Sequence, residues 1–446
     1  MKFAALARSA ALVTAVALIP ATTVGYAQVD ASAGPEFARL FQTYQRIKAS
    51  YVDKVDDEKL IRGAIDGMLA SLDPHSAYLD GSDLQRLETM IDGNYSGLGL
   101  SVVMEDDAVK VVSPFKGSPA EAAGVKAGDY ITHLDGDLIY GGSLDEAVQR
   151  MRGKAGTSIR LTIFRPGAEE PIETTVTRGV IELEPVTSAL QDGGIGVISV
   201  NEFSRDVGRD VFTEYDKLRK QAGGKLNGLI LDLRSNPGGA LDEAVILSDL
   251  FLDQGQIVSQ RGRAQSESIE YDAESVFRGE IAEGLPMIVL INSGSASASE
   301  IVAGALQDHH RAVIMGERSF GKGSVQSLIP LGKDAALKLT TARYYTPSGH
   351  SVQEGGIKPD IRVPQLSDPD YQKRQKYALR ESDLRHHLIN EVAIKDEELE
   401  NDATPDPRFT ATAEELEAKG IEDFQLDYAV KTLRRTGGGA IAAAKR

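Results

Sequence analysis

The residues best placed to do chemistry lie in Asn292-Ser293-Gly294-Ser295-Ala296-Ser297-Ala298-Ser299-Glu300. The run follows an apolar stretch of strand length, Met287 to Ile291, and opens a helical pattern over Ser299 to Gln307. Hydroxyls at a helix N-terminus face free N–H groups and the positive end of the dipole, which together favour an anion. A serine there can attack a carbonyl while neighbouring amides stabilise the oxyanion. Serine is also a preferred N-cap, and several serines before a helix often do no more than cap it. These residues alone do not select one serine.

A second segment, Gly316-Glu317-Arg318-Ser319-Phe320-Gly321-Lys322-Gly323-Ser324-Val325-Gln326, sets one lysine between glycines. A solvated surface lysine rarely needs flanking glycines. Backbone packed close around it would bury the amine, disfavour its charged form and make it a general base for a serine. The segment nearly matches a phosphate-binding loop, but Gly323 stands where the magnesium-binding hydroxyl belongs, and Ser324 to Pro330 reads as strand rather than helix. His309 and His310 follow Asp308 at the end of the serine helix, about 18 Å from Ser297 at 1.5 Å per residue, so a triad within that helix is excluded. His75, His133 and His350 are isolated, and no metal-binding spacing occurs.

Two glycine-rich turns accompany these segments. Leu231-Asp232-Leu233-Arg234-Ser235-Asn236-Pro237-Gly238-Gly239 runs from a strand end into a turn that can offer N–H groups to an anion, or serve as a bare connection. Tyr95-Ser96-Gly97-Leu98-Gly99-Leu100 precedes a strand. Such a loop can bind a terminal carboxylate while a peptide adds to the sheet edge, or be an ordinary hairpin loop.

The elements that must carry these segments follow from patterning. Residues 35 to about 92 read as helical, with Phe37, Leu40, Phe41, Tyr44 and Ile47 in one stripe and Leu60, Ile61, Ala64, Ile65, Met68 and Leu69 inward. From Gly93 to about Arg178, short β-rich runs alternate with glycines around one short helix capped by Ser118. From about 180 to 366, the apolar runs Ile195 to Val200, Leu229 to Leu233, Met287 to Ile291 and Arg311 to Met315 alternate with helices, the pattern of a buried α/β sheet. Beyond Pro364 the chain turns polar, with an acidic run over 396–406, helical patterning over 413–433 and a small-residue tail from 437.

Composition narrows the functions. The 446 residues suggest about three domains. Zero Cys excludes disulfides, thiolate metal sites and cysteine nucleophiles. A net charge of −17 argues against nucleic acid and anionic membranes as main partners. Lys2 and Arg8, the apolar run Ala10 to Ile19, Pro20, and small residues at Gly25 and Ala27 predict a secretory signal over 1–27, cleaved after Ala27. The expectation is an exported, periplasmic protein.

Taken in order, Leu72-Asp73-Pro74-His75-Ser76, Gly97-Leu98-Gly99-Leu100, Ser118-Pro119-Ala120 with Gly128-Asp129, Leu231 to Gly239, Ser295 to Glu300, Phe320 to Gln326, and Tyr344 to Gly349 with Pro359-Asp360 resemble a C-terminal processing peptidase, a tail-specific serine protease. The resemblance spans residues 36 to about 364 and implies an α/β multidomain chain. Its parts would be a helical N-terminal region (35–92), an inserted β-rich PDZ domain (93–178), a crotonase/ClpP-like protease core (180–366) and a C-terminal tail (367–446), partly helical or disordered. It implies a Ser/Lys pair about 25 positions apart, which falls on Ser297 as nucleophile and Lys322 as base, with Gln326 orienting the lysine. The Gly239 and Ala298 N–H groups become oxyanion donors, Asp308 an auxiliary acid, and Gly97, Leu98, Gly99 and Leu100 the peptide-binding loop. No metal or cofactor is called for. The implied partners are proteins or peptides with free C-termini, while an adaptor and a homo-oligomer stay open. The rival readings are a non-catalytic PDZ adaptor and a hydrolase of small acyl substrates. An empty PDZ domain is expected to hold the site misaligned or blocked.

Overall fold

The computed structural model describes residues 34–436 apart from 82, 85–86, 88–90, 92–93, 106–107, 116, 140–143, 169, 183, 275–278, 372–378 and 392–405. The secretory-signal segment, nearly all of the acidic run and residues 437–446 lie outside the described residues. The chain divides into two compact units, one of residues 86–185 and one formed by the segments on either side.

The chain enters through α1 (Pro35–Ser50) and α2 (Asp57–Ala70). Pro35 opens α1, and the Asp56 side chain caps α2 by accepting from the Lys59 N–H. The expected apolar stripes are not core. No residue of α1 is buried, Phe37 and Phe41 are more than half exposed, and in α2 only Leu69 is buried while Ile61 and Met68 face outward. The helical reading is also interrupted, because β1 (Ala77–Asp80) is a strand, beyond which Gly81, Asp83, Leu84, Leu87 and Ile91 are helical again. The strand pairs antiparallel with residues 335–338, a partner no local pattern reveals.

Residues 86–185 hold β2 (Asn94–Gly97), β3 (Leu100–Glu105), β4 (Ala108–Pro114), α3 (Pro119–Ala122), β5 (Tyr130–Leu134), β6 (Asp137–Leu138), α4 (Leu144–Met151), β7 (Ser158–Phe164), β8 (Ile172–Thr177) and β9 (Gly179–Glu182). The main sheet runs β3-β4-β5-β7-β8, with β6 on β5 and β2 paired to β9. Its core includes Val109, Val111, Ile159, Leu161 and Ile163, at alternate positions of β4 and β7, and Ile131 and Leu134 of β5, where a register shift breaks the alternation. Ser118 caps α3 through the Glu121 N–H, and the fully buried Asp129 carboxylate is forked by Arg165 at 2.6 and 2.8 Å.

The remaining chain adds β10 (Val186–Gln191), β11 (Ile195–Val200), α5 (Val207–Gln221), β12 (Gly228–Asp232), α6 (Leu241–Asp249), β13 (Gln256–Gly262), β14 (Ile269–Asp272), β15 (Met287–Ile291), α7 (Ala298–Asp308), β16 (Val313–Gly316), β17 (Ser324–Pro330), β18 (Ala335–Tyr345), β19 (Ile361–Arg362), α8 (Ala413–Glu417) and α9 (Phe424–Thr436). One sheet runs β10-β11-β12-β15-β16-β19, parallel throughout except for β10. A second, antiparallel sheet runs β1-β18-β13-β14, with β17 on β18.

The parallel sheet is buried on both faces, which explains its unbroken apolar strands. Leu229, Leu231, Val289 and Ile291 pack with α5, α6 and α7, whereas Ile230, Ile288 and Leu290 pack with Ala429 and Leu433 of α9. The segment after 366, which the sequence left without a role, thus supplies the second cover of the sheet.

Candidate active site

Strands β12 and β15 are parallel neighbours, so the loops leaving their carboxyl ends lie side by side, where open α/β sheets form crevices. The Ser295 hydroxyl donates to the Leu233 carbonyl at 2.8 Å, and the Ser299 hydroxyl donates to the Asn236 carbonyl at 3.0 Å. Both serines are fully buried and lace the two loops together. Ser297, between them, is partly exposed, and its hydroxyl takes no part in this lacing. Its φ of 55° and ψ of −113° are a costly conformation for a residue with a side chain, imposed by the surrounding bonds.

The glycine turn closes on Ser297 from the other loop. A Cβ on Gly238 would stand 2.8 Å from the Ser297 Cβ and 3.0 Å from the Ala298 nitrogen. One on Gly239, whose φ is 146°, would stand 2.3 Å from the Phe203 carbonyl oxygen. Only glycine fits either position. The Gly239 and Ala298 N–H groups donate to no protein acceptor among the described residues.

The lysine loop is tied to the same place. Glu300, fully buried at the third position of α7, accepts from the N–H groups of Ser297 (2.8 Å), Lys322 (3.0 Å) and Gly321 (2.8 Å) and from the Ser319 hydroxyl (2.5 Å). Burial pushes its carboxyl up to about 7, against the pull of these four donors. The buried Tyr344 hydroxyl is shared between the carbonyls of Ser297, at 3.1 Å, and Lys322. The glycines flanking the lysine permit this closeness, since a Cβ would stand 2.8 Å from the Glu354 carbonyl at Gly321 and 2.6 Å from the Gln353 nitrogen at Gly323. The segment then enters β17, so it lacks the helix that a phosphate loop requires.

Lys322 Nζ donates to Gln326 Oε1 at 2.8 Å. Burial pulls its amine below the ordinary lysine value, and nearby Lys338 adds to the shift against the opposing carboxylates of Glu381, Glu300 and Asp73. The Gln326 amide in turn donates to Ser324 Oγ (3.0 Å) and Thr340 Oγ1 (3.2 Å).

Asp308 does not reach this cluster. It ends α7, about 16 Å from Ser297 at 1.5 Å per residue, and its carboxylate accepts from the Ser348 N–H. Asp308 is therefore no part of the cluster around Ser297 and Lys322, contrary to the auxiliary role expected from the resemblance. Glu300 and Tyr344 had no assigned role in the sequence reading. For Glu300 the signal was present, because Ser297 and Glu300 have the spacing of a capping box.

In the unit of residues 86–185, β3 is an edge strand of its sheet. Gly97 ends β2, Leu98 is buried, and Gly99 turns with φ 74° where a Cβ would stand 2.4 Å from the Ser118 Cβ. The Leu98 and Gly99 carbonyls accept from the N–H groups of Ala120 and Phe115, while their own N–H groups donate to no protein acceptor among the described residues. Leu100 and Val102 of β3 and Leu144 and Val148 of α4 are partly buried apolar groups on this core.

Residues 194–363 match the model of peptidase family S41, residues 96–176 match the PDZ domain, and residues 17–82 match the N-terminal domain of the activating protease CtpB. A carboxy-terminal-processing protease of Bartonella bacilliformis is 48% identical over 354 residues, covering 79% of this chain and 80% of that one. The carboxy-terminal processing protease CtpA of Bacillus subtilis is 37% identical over 352 residues, covering 78% and 72%. Among solved structures, a photosystem II D1 C-terminal processing protease is 30% identical, covering 74% of this chain and 93% of that one, with a TM-score of 0.45. With a loop pair built around Ser297 and an edge-strand unit in one chain, and with relatives alike over most of their length, the protein belongs to the carboxy-terminal processing proteases, serine peptidases of family S41 that carry a PDZ domain.

Proposed function

We propose that the protein cleaves exported polypeptides near their C-termini by a Ser297/Lys322 acyl-enzyme mechanism. Neutral Lys322 takes the proton of Ser297 Oγ as that oxygen attacks the scissile carbonyl. The N–H groups of Gly239 and Ala298 receive the developing oxyanion. Collapse releases the C-terminal product with the proton carried by Lys322, and water then hydrolyses the ester. Gln326 holds the amine in position throughout. The substrate's terminal carboxylate binds at the Leu98 and Gly99 N–H groups while its last residues extend β3. The signal over residues 1–27 directs the chain to the periplasm.

The observation that carries this reading is the double tether of the Ser297 and Lys322 backbones to Glu300 and Tyr344. The test is cleavage of an unfolded polypeptide with an apolar C-terminus by purified wild type, Ser297→Ala and Lys322→Ala. Both variants are expected to lose turnover while still binding the tail. Full turnover by either one would refute the mechanism.

A further inference from the structure

The motif Leu72-Asp73-Pro74-His75-Ser76 has so far no part in the chemistry, yet it lies beside the lysine's partner. Asp73 is nearly fully buried and opens a turn in which its Oδ1 accepts from the N–H groups of His75 and Ser76, both at 2.8 Å. Its Oδ2 accepts from the Ser76 hydroxyl at 2.8 Å. The turn is fastened to β18, since Ser76 Oγ accepts from the Thr340 N–H at 3.1 Å. It is fastened again where His75 Nε2 meets the buried Glu381 carboxylate at 2.9 Å.

The Thr340 hydroxyl links this turn to the site, with Ser76 Oγ at a long 3.5 Å from it and Asp73 nearer. Thr340 Oγ1 donates to Asp73 Oδ1 at 3.1 Å. A carboxylate only accepts, so the threonine proton points to Asp73, and the oxygen lone pairs face Gln326 Nε2 at 3.2 Å. An amide whose nitrogen is held there presents its oxygen to Lys322 Nζ, at 2.8 Å. The polarity of the chain is set at one end and read at the other. Ser324 Oγ also accepts from the Gln326 nitrogen at 3.0 Å, but its hydroxyl is free to turn and donate, so without the fixed polarity of Thr340 the Gln326 amide can flip and face the amine with its NH2 group, which offers no acceptor.

We propose that Asp73 is a positioning residue for the reaction, acting through Thr340 to fix the Gln326 amide and thereby the Lys322 amine. The proposal rests on Lys322 being the base. The charged groups around Lys322 are Lys338, Glu381, Glu300 and Asp73.

The test compares full-length wild type, Thr340→Val, Thr340→Ser, Asp73→Ala, the Asp73→Ala/Thr340→Val double variant and Lys322→Ala. Steady-state cleavage of an unfolded polypeptide with an apolar C-terminus is followed across pH, with thermal unfolding as a check of the fold. Thr340→Val keeps the shape of the side chain and removes the hydroxyl. It is expected to lower kcat roughly tenfold, part of the 10²–10⁴ supplied by a general base, with KM little changed. Losing the acceptor disfavours the ammonium, so the ascending limb of the pH profile moves to lower pH. Thr340→Ser restores most of the rate, and the double variant is no slower than the slower single one. A wild-type rate and pH profile in Thr340→Val would overturn the proposal, as would an equal loss in Thr340→Ser or multiplied losses in the double variant. If Asp73→Ala does not fold, the two Thr340 variants decide alone. Full activity in Lys322→Ala would instead sink the base assignment. An inactive Lys322→Ala beside a fully active Thr340→Val sinks only the relay.

Discussion

The main-chain N–H of Ser297 and that of Lys322 converge on one oxygen, Oε2 of Glu300, at 2.8 and 3.0 Å. The other oxygen takes Gly321 and Ser319. Glu300→Gln must turn an NH2 group toward one of these donor pairs, whichever way the amide lies. Buried donors left without acceptors cost on the order of 1–3 kcal/mol each. The variant is expected to lose roughly 2–5 kcal/mol of stability in denaturant unfolding and most of its turnover. A variant of wild-type stability and rate would show that the carboxylate does not hold the two loops.

Lys322 must shed its proton to act as a base, and burial already holds its amine below the ordinary 10.5. Activity therefore rises with pH through that lowered value and levels off above it. The same depression bears on stability. The folded state disfavours the ammonium, so this group's contribution improves as pH climbs from the folded value toward 10.5. Lys322→Arg keeps the charge at every accessible pH and is expected to be inactive throughout the profile.

Gly238 faces Ser297 too closely for any side chain. In Gly238→Ala a methyl group would stand 2.8 Å from the Ser297 Cβ, on a backbone with φ 99°. The glycine turn must move away, and the Gly239 N–H moves with it. A loss in kcat of about 10²-fold is expected, the scale of one lost oxyanion donor. KM should change much less, and single-turnover acylation would show the defect directly.

Leu100→Asp sets a negative charge next in sequence to the Leu98 and Gly99 N–H groups that are proposed to receive the peptide's terminal carboxylate, and removes an apolar group of the β3 edge. KM for a long, apolar-tailed substrate should rise at least about tenfold, with a smaller change in kcat. An unchanged KM would remove the β3 edge from substrate capture.

Leu433 of α9 is buried against the parallel sheet. Leu433→Ala is expected to cost about 2–5 kcal/mol in denaturant unfolding, as for other buried leucines. A negligible loss would mean that α9 is not part of the folded core.

Local pattern carried much of this architecture. Met287–Ile291 is the strand its apolar run predicts, and Ser118 caps the short helix expected after it. What local pattern could not supply came from distant partners. The difference between Ser297 and its neighbours depends on Leu233 and Asn236, which take the hydroxyls of Ser295 and Ser299 from more than 60 residues away and leave Ser297 outside that lacing. The strand at Ala77 exists because Lys338 pairs with it. Apolar periodicity in α1 and α2 indicated helix correctly but burial wrongly, since periodicity reports which face is apolar and not what covers it. Helical patterning over 413–433 is legible in the sequence but its packing is not, because its charged residues read as solvated, whereas Asp423 is matched to Arg234 and Leu433 to the sheet.

That match sets an order of events. Arg234 lies in the loop that laces onto Ser295 and Ser299, and its guanidinium is gripped by Asp232 and by Asp423, 189 residues further on. A chain made from its N-terminus therefore completes both serine and lysine loops well before Asp423 exists. Until α9 emerges and docks, one face of the parallel sheet stays open and Arg234 lacks half of its anchor. The loop that carries Arg234 is thus fully braced only when the last described helix has docked, which ties the two ends of this unit to one folding event.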